Sequence, residues 1–138
     1  MDIANQICSL EQAKKLSELG ITAPAFFIWV EYLDEAVNQW QTKVLAQFQE
    51  QPDDIKYALA DSRYNAYSGT EVGVMLPAFP NYNWETYYHE SDKQWRVQIM
   101  GREFGAVPTE AIGRTMILIY MLENDIVTAE ECNQRLMQ

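Results

Sequence analysis

The chain has 138 residues, 48% of them hydrophobic and 12% aromatic. That excludes a disordered chain and is enough to bury a core without disulfides or metals. Twenty acids against ten Lys and Arg give a formal net charge of −10, and with no basic patch in the sequence the composition argues against direct binding to a nucleic-acid backbone.

The first six residues, Met1 to Gln6, show no basic region followed by an apolar stretch, so a cytoplasmic protein with two free thiols, Cys8 and Cys132, is expected. Ser9 to Gly20 is the first predicted element. Ser9 and Gln12 have the spacing of a capping box, and Leu10, Ala13, Leu16 and Leu19 form one apolar stripe. Gly20 is placed to end the helix, because glycine tolerates the left-handed conformation. Phe26 to Leu33 is β-branched and aromatic and predicts a strand, buried on both faces at its start.

Asp34 to Gln51 is expected to be a helix, with Val37, Trp40, Val44 and Phe48 at helical spacing, Asp34 as a cap and Pro52 as the stop. Further on, Tyr57-Ala58-Leu59-Ala60 suggests a short strand and Asp61 to Asn65 a turn or loop. Ser68 and Glu71 form a second capping box, opening a short helix with Val72, Met75 and Leu76 on its apolar side and Pro77 at its close.

After a loop over Ala78 to Asn83, Trp84 to Glu90 and Gln94 to Met100 predict a hairpin turning at Ser91-Asp92-Lys93. Trp95, Val97 and Ile99 alternate with polar residues, the period of a half-buried strand, and Gly101 to Val107 suggests a third strand. Thr109 to about Asn124 predicts a helix that is apolar all round from Met116 to Leu122, with no span approaching the roughly 18 apolar residues a bilayer crossing requires. Such a helix is expected across the sheet at the centre of the core, flanked by the Ser9 helix, with Ile119 in the interior. A remaining apolar face near Tyr120 would suit a homodimer. Thr128 and Glu131 open a C-terminal helix carrying Leu136 and Met137. The expected fold is a single α+β domain over residues 1–138, a small mostly antiparallel sheet with helices packed on one side.

Chemistry is sparsely signalled. His89 is the one histidine, beside Glu90 and near Glu85, with no Cys or His at metal-ligand spacing. It reads as a surface histidine of a strand edge. Cys8 precedes a helix N-terminus, which could activate a thiol, but a small buried hydrophobe is the preferred reading. The doublets Asp53-Asp54 and Glu130-Glu131 diverge on any regular element, so they do not pair as catalytic carboxylates. No phosphate loop, calcium loop or nucleophile elbow occurs. No catalytic residue, metal ligand or cofactor is therefore expected. Tyr82, Trp84, Tyr87, Tyr88 and His89, with Tyr120, form the candidate interaction surface, since aromatics are enriched where proteins meet.

Three stretches, Ile7 to Gly20, Ala66 to Pro77 and Thr109 to Asn124, together resemble a group of small uncharacterised proteins from prophage and mobile-element regions of Bacteroides-type gut bacteria. The middle motif of that group commonly reads Glu-Leu-Gly-Glu-Met-Leu-Pro; here Val72 and Val74 replace the Leu and the second Glu. The resemblance implies a phage or mobile-element context and supplies no activity. The leading expectation is a non-enzymatic accessory or protein-interaction protein with an unidentified protein partner. An acidic decoy for a basic, nucleic-acid-handling protein is one alternative. A small-molecule binder or enzyme using the aromatic hairpin is the other.

Overall fold

The computed structural model describes residues 3–46, 62–77 and 83–138. A 3-10 turn at Ile3–Asn5 leads to helix α1, Leu10–Glu18, then strands β1, Phe27–Asp34, β2, Gln39–Ala46, and β3, Ser62–Ala66. Helix α2, Gly69–Met75, is followed by β4, Trp84–His89, β5, Gln94–Ile99, and β6, Arg102–Val107. Helices α3, Glu110–Glu123, and α4, Ala129–Met137, complete the order. The fold is α+β. Its strands form two three-stranded antiparallel sheets, ordered β2-β1-β3 and β4-β5-β6, where one small sheet was expected.

The helix starts at Ser9, Ser68, Thr109 and Thr128 are sealed by their own side chains. Ser9 Oγ accepts the Gln12 N–H at 3.1 Å while Gln12 Oε1 accepts the Ser9 N–H, and the amide of the same Gln12 donates to the Ile112 carbonyl at 3.0 Å. Thr109 Oγ1 accepts the Ile112 N–H. The caps of α1 and α3 are thus joined through Ile112. At the far end of α1, Gly20 takes φ +95°, its N–H reaches the Ser17 carbonyl, and the Ile21 N–H reaches Leu16. This pair of bonds closes a helix through a left-handed residue. Asp125, at φ 57°, closes α3 through the corresponding bonds from Asp125 to Leu122 and from Ile126 to Met121.

The expected helix over Asp34 to Gln51 is corrected: Asp34 ends β1, a turn follows, and Gln39–Ala46 is β2, paired antiparallel with β1 from Phe27↔Ala46 to Asp34↔Gln39. Residues 47–51 and Pro52 lie outside the described residues. The misleading signal has a simple origin. Trp40 and Val44 are four apart, and a spacing of four returns a side chain to the same face in a strand as well as in a helix. Asp34 does not cap a helix; its Oδ1 accepts the Ala36 N–H, and Asn38 at φ 52° completes the reversal. The expected turn over Asp61 to Asn65 is likewise corrected for Ser62–Ala66, which is β3, with Tyr64 opposite Trp29. Polar composition hid it. The suggested strand over Tyr57 to Ala60 and most of the loop over Ala78 to Asn83 lie outside the described residues. Strand β1 is not buried on both faces at its start: Phe26 is exposed, and burial begins at Val30 and Tyr32.

Helix α3 is the central element, packed on β4, β5 and β6 and touching α1 and α2. Gly113 permits this approach, since a Cβ there would stand 3.2 Å from methyls of Val97 and Val107 and 3.3 Å from that of Thr86. The buried side chains of α3 include Ile117, Leu118, Met121 and Leu122. Ile119, expected in the interior, is only partly buried and packs at the margin of the core.

Two stability predictions follow from this packing. Leu118→Ala should cost roughly 2–5 kcal/mol, the range for emptying a closed interior site, and Ile119→Ala clearly less; equal shifts of the denaturant midpoint would contradict the placement. Ser9→Ala should cost about 1 kcal/mol, as for other side-chain caps, measured by the same unfolding curves.

Candidate interaction surfaces

The β4–β5 turn brings His89, Ser91, Asp92 and Arg96 together. Ser91 Oγ lies 2.7 Å from His89 Nδ1, and Asp92 Oδ1 lies 3.6 Å from the same nitrogen. A nucleophile relay requires serine and carboxylate on opposite ring nitrogens, so that one accepts a proton while the other is steadied. Here both oxygens address Nδ1. Asp92 is bound by Arg96, and that hydrogen bond holds its carboxyl below the usual range; Arg96 Nε also reaches Glu103 at 3.5 Å. The cluster is a braced hairpin turn. Among the described residues, no group of three His, Cys, Asp or Glu side chains could hold a metal ion.

Both thiols are buried and free. Burial pushes Cys8 from its ordinary 9.0 to about 12 and Cys132 to about 11. At Cys8 backbone hydrogen bonds favour the thiolate, but desolvation outweighs them. A shallow polar cleft of about 320 Å³ lies beside Asn5, Ser68, Thr70, Glu110 and Arg114. Its guanidinium is already engaged: Arg114 Nη1 donates to the Gly69 carbonyl at 2.9 Å and Nη2 meets Glu110 at 2.5 Å. The first of these contacts fastens α2 to α3.

The aromatic residues singled out from the sequence do not share one surface. Tyr82 lies outside the described residues. Trp84 packs against the core and donates its indole N–H to the Pro77 carbonyl at 3.0 Å. Tyr120 also packs there, its ring 4.8 Å from that of Phe104. Tyr88 is exposed at the hairpin end and meets Trp95 edge-on at 5.6 Å. Tyr87 and His89 alternate with Trp84 and Tyr88 along β4, so they point to the opposite face of the sheet. His89 is exposed there, whereas Tyr87 is half-buried and stands opposite Arg96.

A different surface emerges on the β1–β2 hairpin. Leu33 and Trp40 are directly opposite each other, so their side chains share a face, and both are exposed, at 40% and 61%. Val37, in the turn between them, is 52% exposed. On the same face Trp29 stands opposite Val44, both half-buried. Only the β3 side of this sheet has α1 against it, where Lys14 pairs with Glu31 at 3.1 Å and lies over the Tyr64 ring. Sequence reading missed the surface because Trp40 was assigned to a helix. The signal that could have found it is Thr42 and Val44 alternating with polar Gln41 and Lys43, a strand period beginning after an Asn.

Folded protein at pH 8 should leave both cysteines unmodified by a thiol reagent and expose both in denaturant. The elevated thiol values also fix a sign. Above pH 9 the unfolded chain releases the Cys8 proton and the folded chain retains it, so stability declines from pH 9 towards 12, by up to about 1.4 kcal/mol per pH unit for one such group. Cys8→Ala should flatten that decline; an unchanged slope in pH-dependent unfolding would contradict it. Comparison with known proteins adds no further constraint on these surfaces: no protein-family model, curated protein or solved structure matches the chain.

Proposed function

We propose that this chain is a non-enzymatic accessory protein that docks another protein through the open face of its β1–β2 hairpin. The observation that carries the reading is the trio Leu33, Val37 and Trp40, gathered at one end of the hairpin and each at least 40% exposed. Apolar groups left together in water favour a covering partner, and tryptophan is among the residues that contribute most to protein interfaces. Supporting it, the chemically reactive groups that are described are engaged structurally: the thiols are buried and His89 is tied into a turn. The resemblance to prophage and mobile-element proteins suits an accessory role in a bacterial cytoplasm. No helix among the described residues is long and apolar enough to cross a membrane.

Affinity capture from the native host tests the reading with paired variants. A protein retained by the wild type should be lost with Trp40→Ser and kept with Tyr88→Ser, both substitutions being at exposed sites. Capture that depends on Tyr88 and ignores Trp40 would move the function to the other hairpin.

A further inference from the structure

We infer that β2 pairs antiparallel with β2 of a second copy of this chain, centred on Thr42, so that the two β2-β1-β3 sheets become one. The inference goes beyond the docking reading, because it uses the edge of the hairpin and leaves its face open. Strands β2, β3, β4 and β6 stand at the edges of the two described sheets. The longest of them is β2, with eight residues against five in β3 and six in each of the others. It contains no proline or glycine, and its ladder with β1 runs unbroken from Phe27↔Ala46 to Asp34↔Gln39. Trp40 and Thr42 on one face, and Gln39 and Lys43 on the other, are exposed. An edge strand offers a row of backbone N–H and C=O groups to another strand unless prolines, bulges or charges blunt it. Of these devices β2 carries one lysine.

The sequence of β2 complements itself. A two-fold axis perpendicular to a sheet keeps each face continuous and places one residue opposite its own copy. The registers that engage most of β2 centre on Thr42 or on Lys43. Centring on Lys43 sets two ammonium groups directly opposite each other, which destabilises a ladder, and leaves Trp40 facing the partner's Ala46. Centring on Thr42 sets Trp40 opposite the partner's Val44, Thr42 opposite the partner's Thr42, and Lys43 opposite the partner's Gln41. An aromatic beside a β-branched side chain, and threonine beside threonine, are favourable cross-strand pairs. Trp40 has Leu33 on its β1 side and Val44 has Trp29, so each gains a second neighbour across the new ladder. Long-range repulsion between two chains of formal charge −10 opposes encounter, so the dimer is weak and tightens as salt screens that repulsion.

Sedimentation of the full chain over a range of concentrations tests this. A species of twice the 16.0 kDa chain mass should grow with concentration and with salt. Thr42→Lys or Thr42→Glu alone should weaken it several-fold, because like charges then stand opposite each other, and an equimolar mixture of the two should restore it. With both native thiols buried, Thr42→Cys should cross-link on mild oxidation several-fold faster than Lys43→Cys, whose two sulfurs are set diagonally. A chain that stays monomeric throughout would overturn the inference. So would a dimer that persists undiminished in both charge variants, a mixture that fails to restore it, or equal rates of cross-linking. The Thr42 variants keep Leu33, Val37 and Trp40, so Trp40-dependent capture of a protein that persists in them leaves the docking reading standing when the dimer fails. Absence of such capture alongside a confirmed dimer removes the docking reading alone. Matching melting curves for the variants separate each outcome from unfolding.

Discussion

A buried carboxylate ties the start of α2 to the chain entering β1. Glu71 is only 5% exposed, and each of its oxygens receives a backbone N–H, from Ser68 at 2.9 Å and from Phe26 at 3.1 Å. The first bond belongs to the start of α2. The second fixes the chain where it enters β1. A buried charge is tolerated when hydrogen bonds replace its water, and leaving either oxygen unserved would be costly. Glu71 therefore couples helix initiation to the position of the first sheet. The Cys8 N–H bonded to the Tyr67 carbonyl and the Gly69 N–H bonded to Gln6 bring the N-terminal segment to the same point.

Around that junction, polar side chains close gaps that apolar packing leaves. Asn133 on α4 accepts the N–H groups of Thr22 and Ala23 through Oδ1 and donates to the Gly20 carbonyl, so one side chain organises the loop that follows α1. Tyr67 is fully buried and donates its hydroxyl to the Ala23 carbonyl. Burial raises that phenol above its ordinary value, which keeps it a donor. Arg135 reaches from α4 to the Met75 carbonyl at the end of α2. Connections between elements distant in sequence are thus made by single directional bonds, while α3 supplies the apolar mass.

What could be read from the sequence divides along the same line. Helix caps are local: Ser9, Ser68, Thr109 and Thr128 each accept the N–H three residues ahead, as their spacing implied. The β4–β5 hairpin and β6 were also local, announced by alternation and by turn residues. The first sheet was not. Its central strand pairs with β3 across more than thirty residues, from Phe27 opposite Ala66 to Glu31 opposite Ser62, and nothing within five polar-rich residues reveals that they border Trp29. Ile119 was misplaced for a related reason. In a helix apolar all round, periodicity cannot say which stripe faces inward, and Gly113 decided it by letting the sheet approach on its own side. The exposed face of the β1–β2 hairpin was hidden because exposure is a tertiary property: Trp40 and Trp84 look alike in sequence, yet one is open and the other donates to the Pro77 carbonyl.

In each described sheet only the middle strand, β1 or β5, has hydrogen-bonded neighbours on both sides. For β5 that middle position is reinforced by α3 lying across it. Strand β2 has no such backing among the described residues; it is fastened through β1 alone. Amide exchange in such an architecture is graded, slow at the doubly flanked strand beneath a helix and fast where a strand hangs from a single ladder. Trp40 and Val44 therefore stand on a part of the molecule that can open and re-form without disturbing the interior beneath α3. The slowest amides belong instead to the interior beneath α3, where Ile117, Leu118 and Met121 are buried.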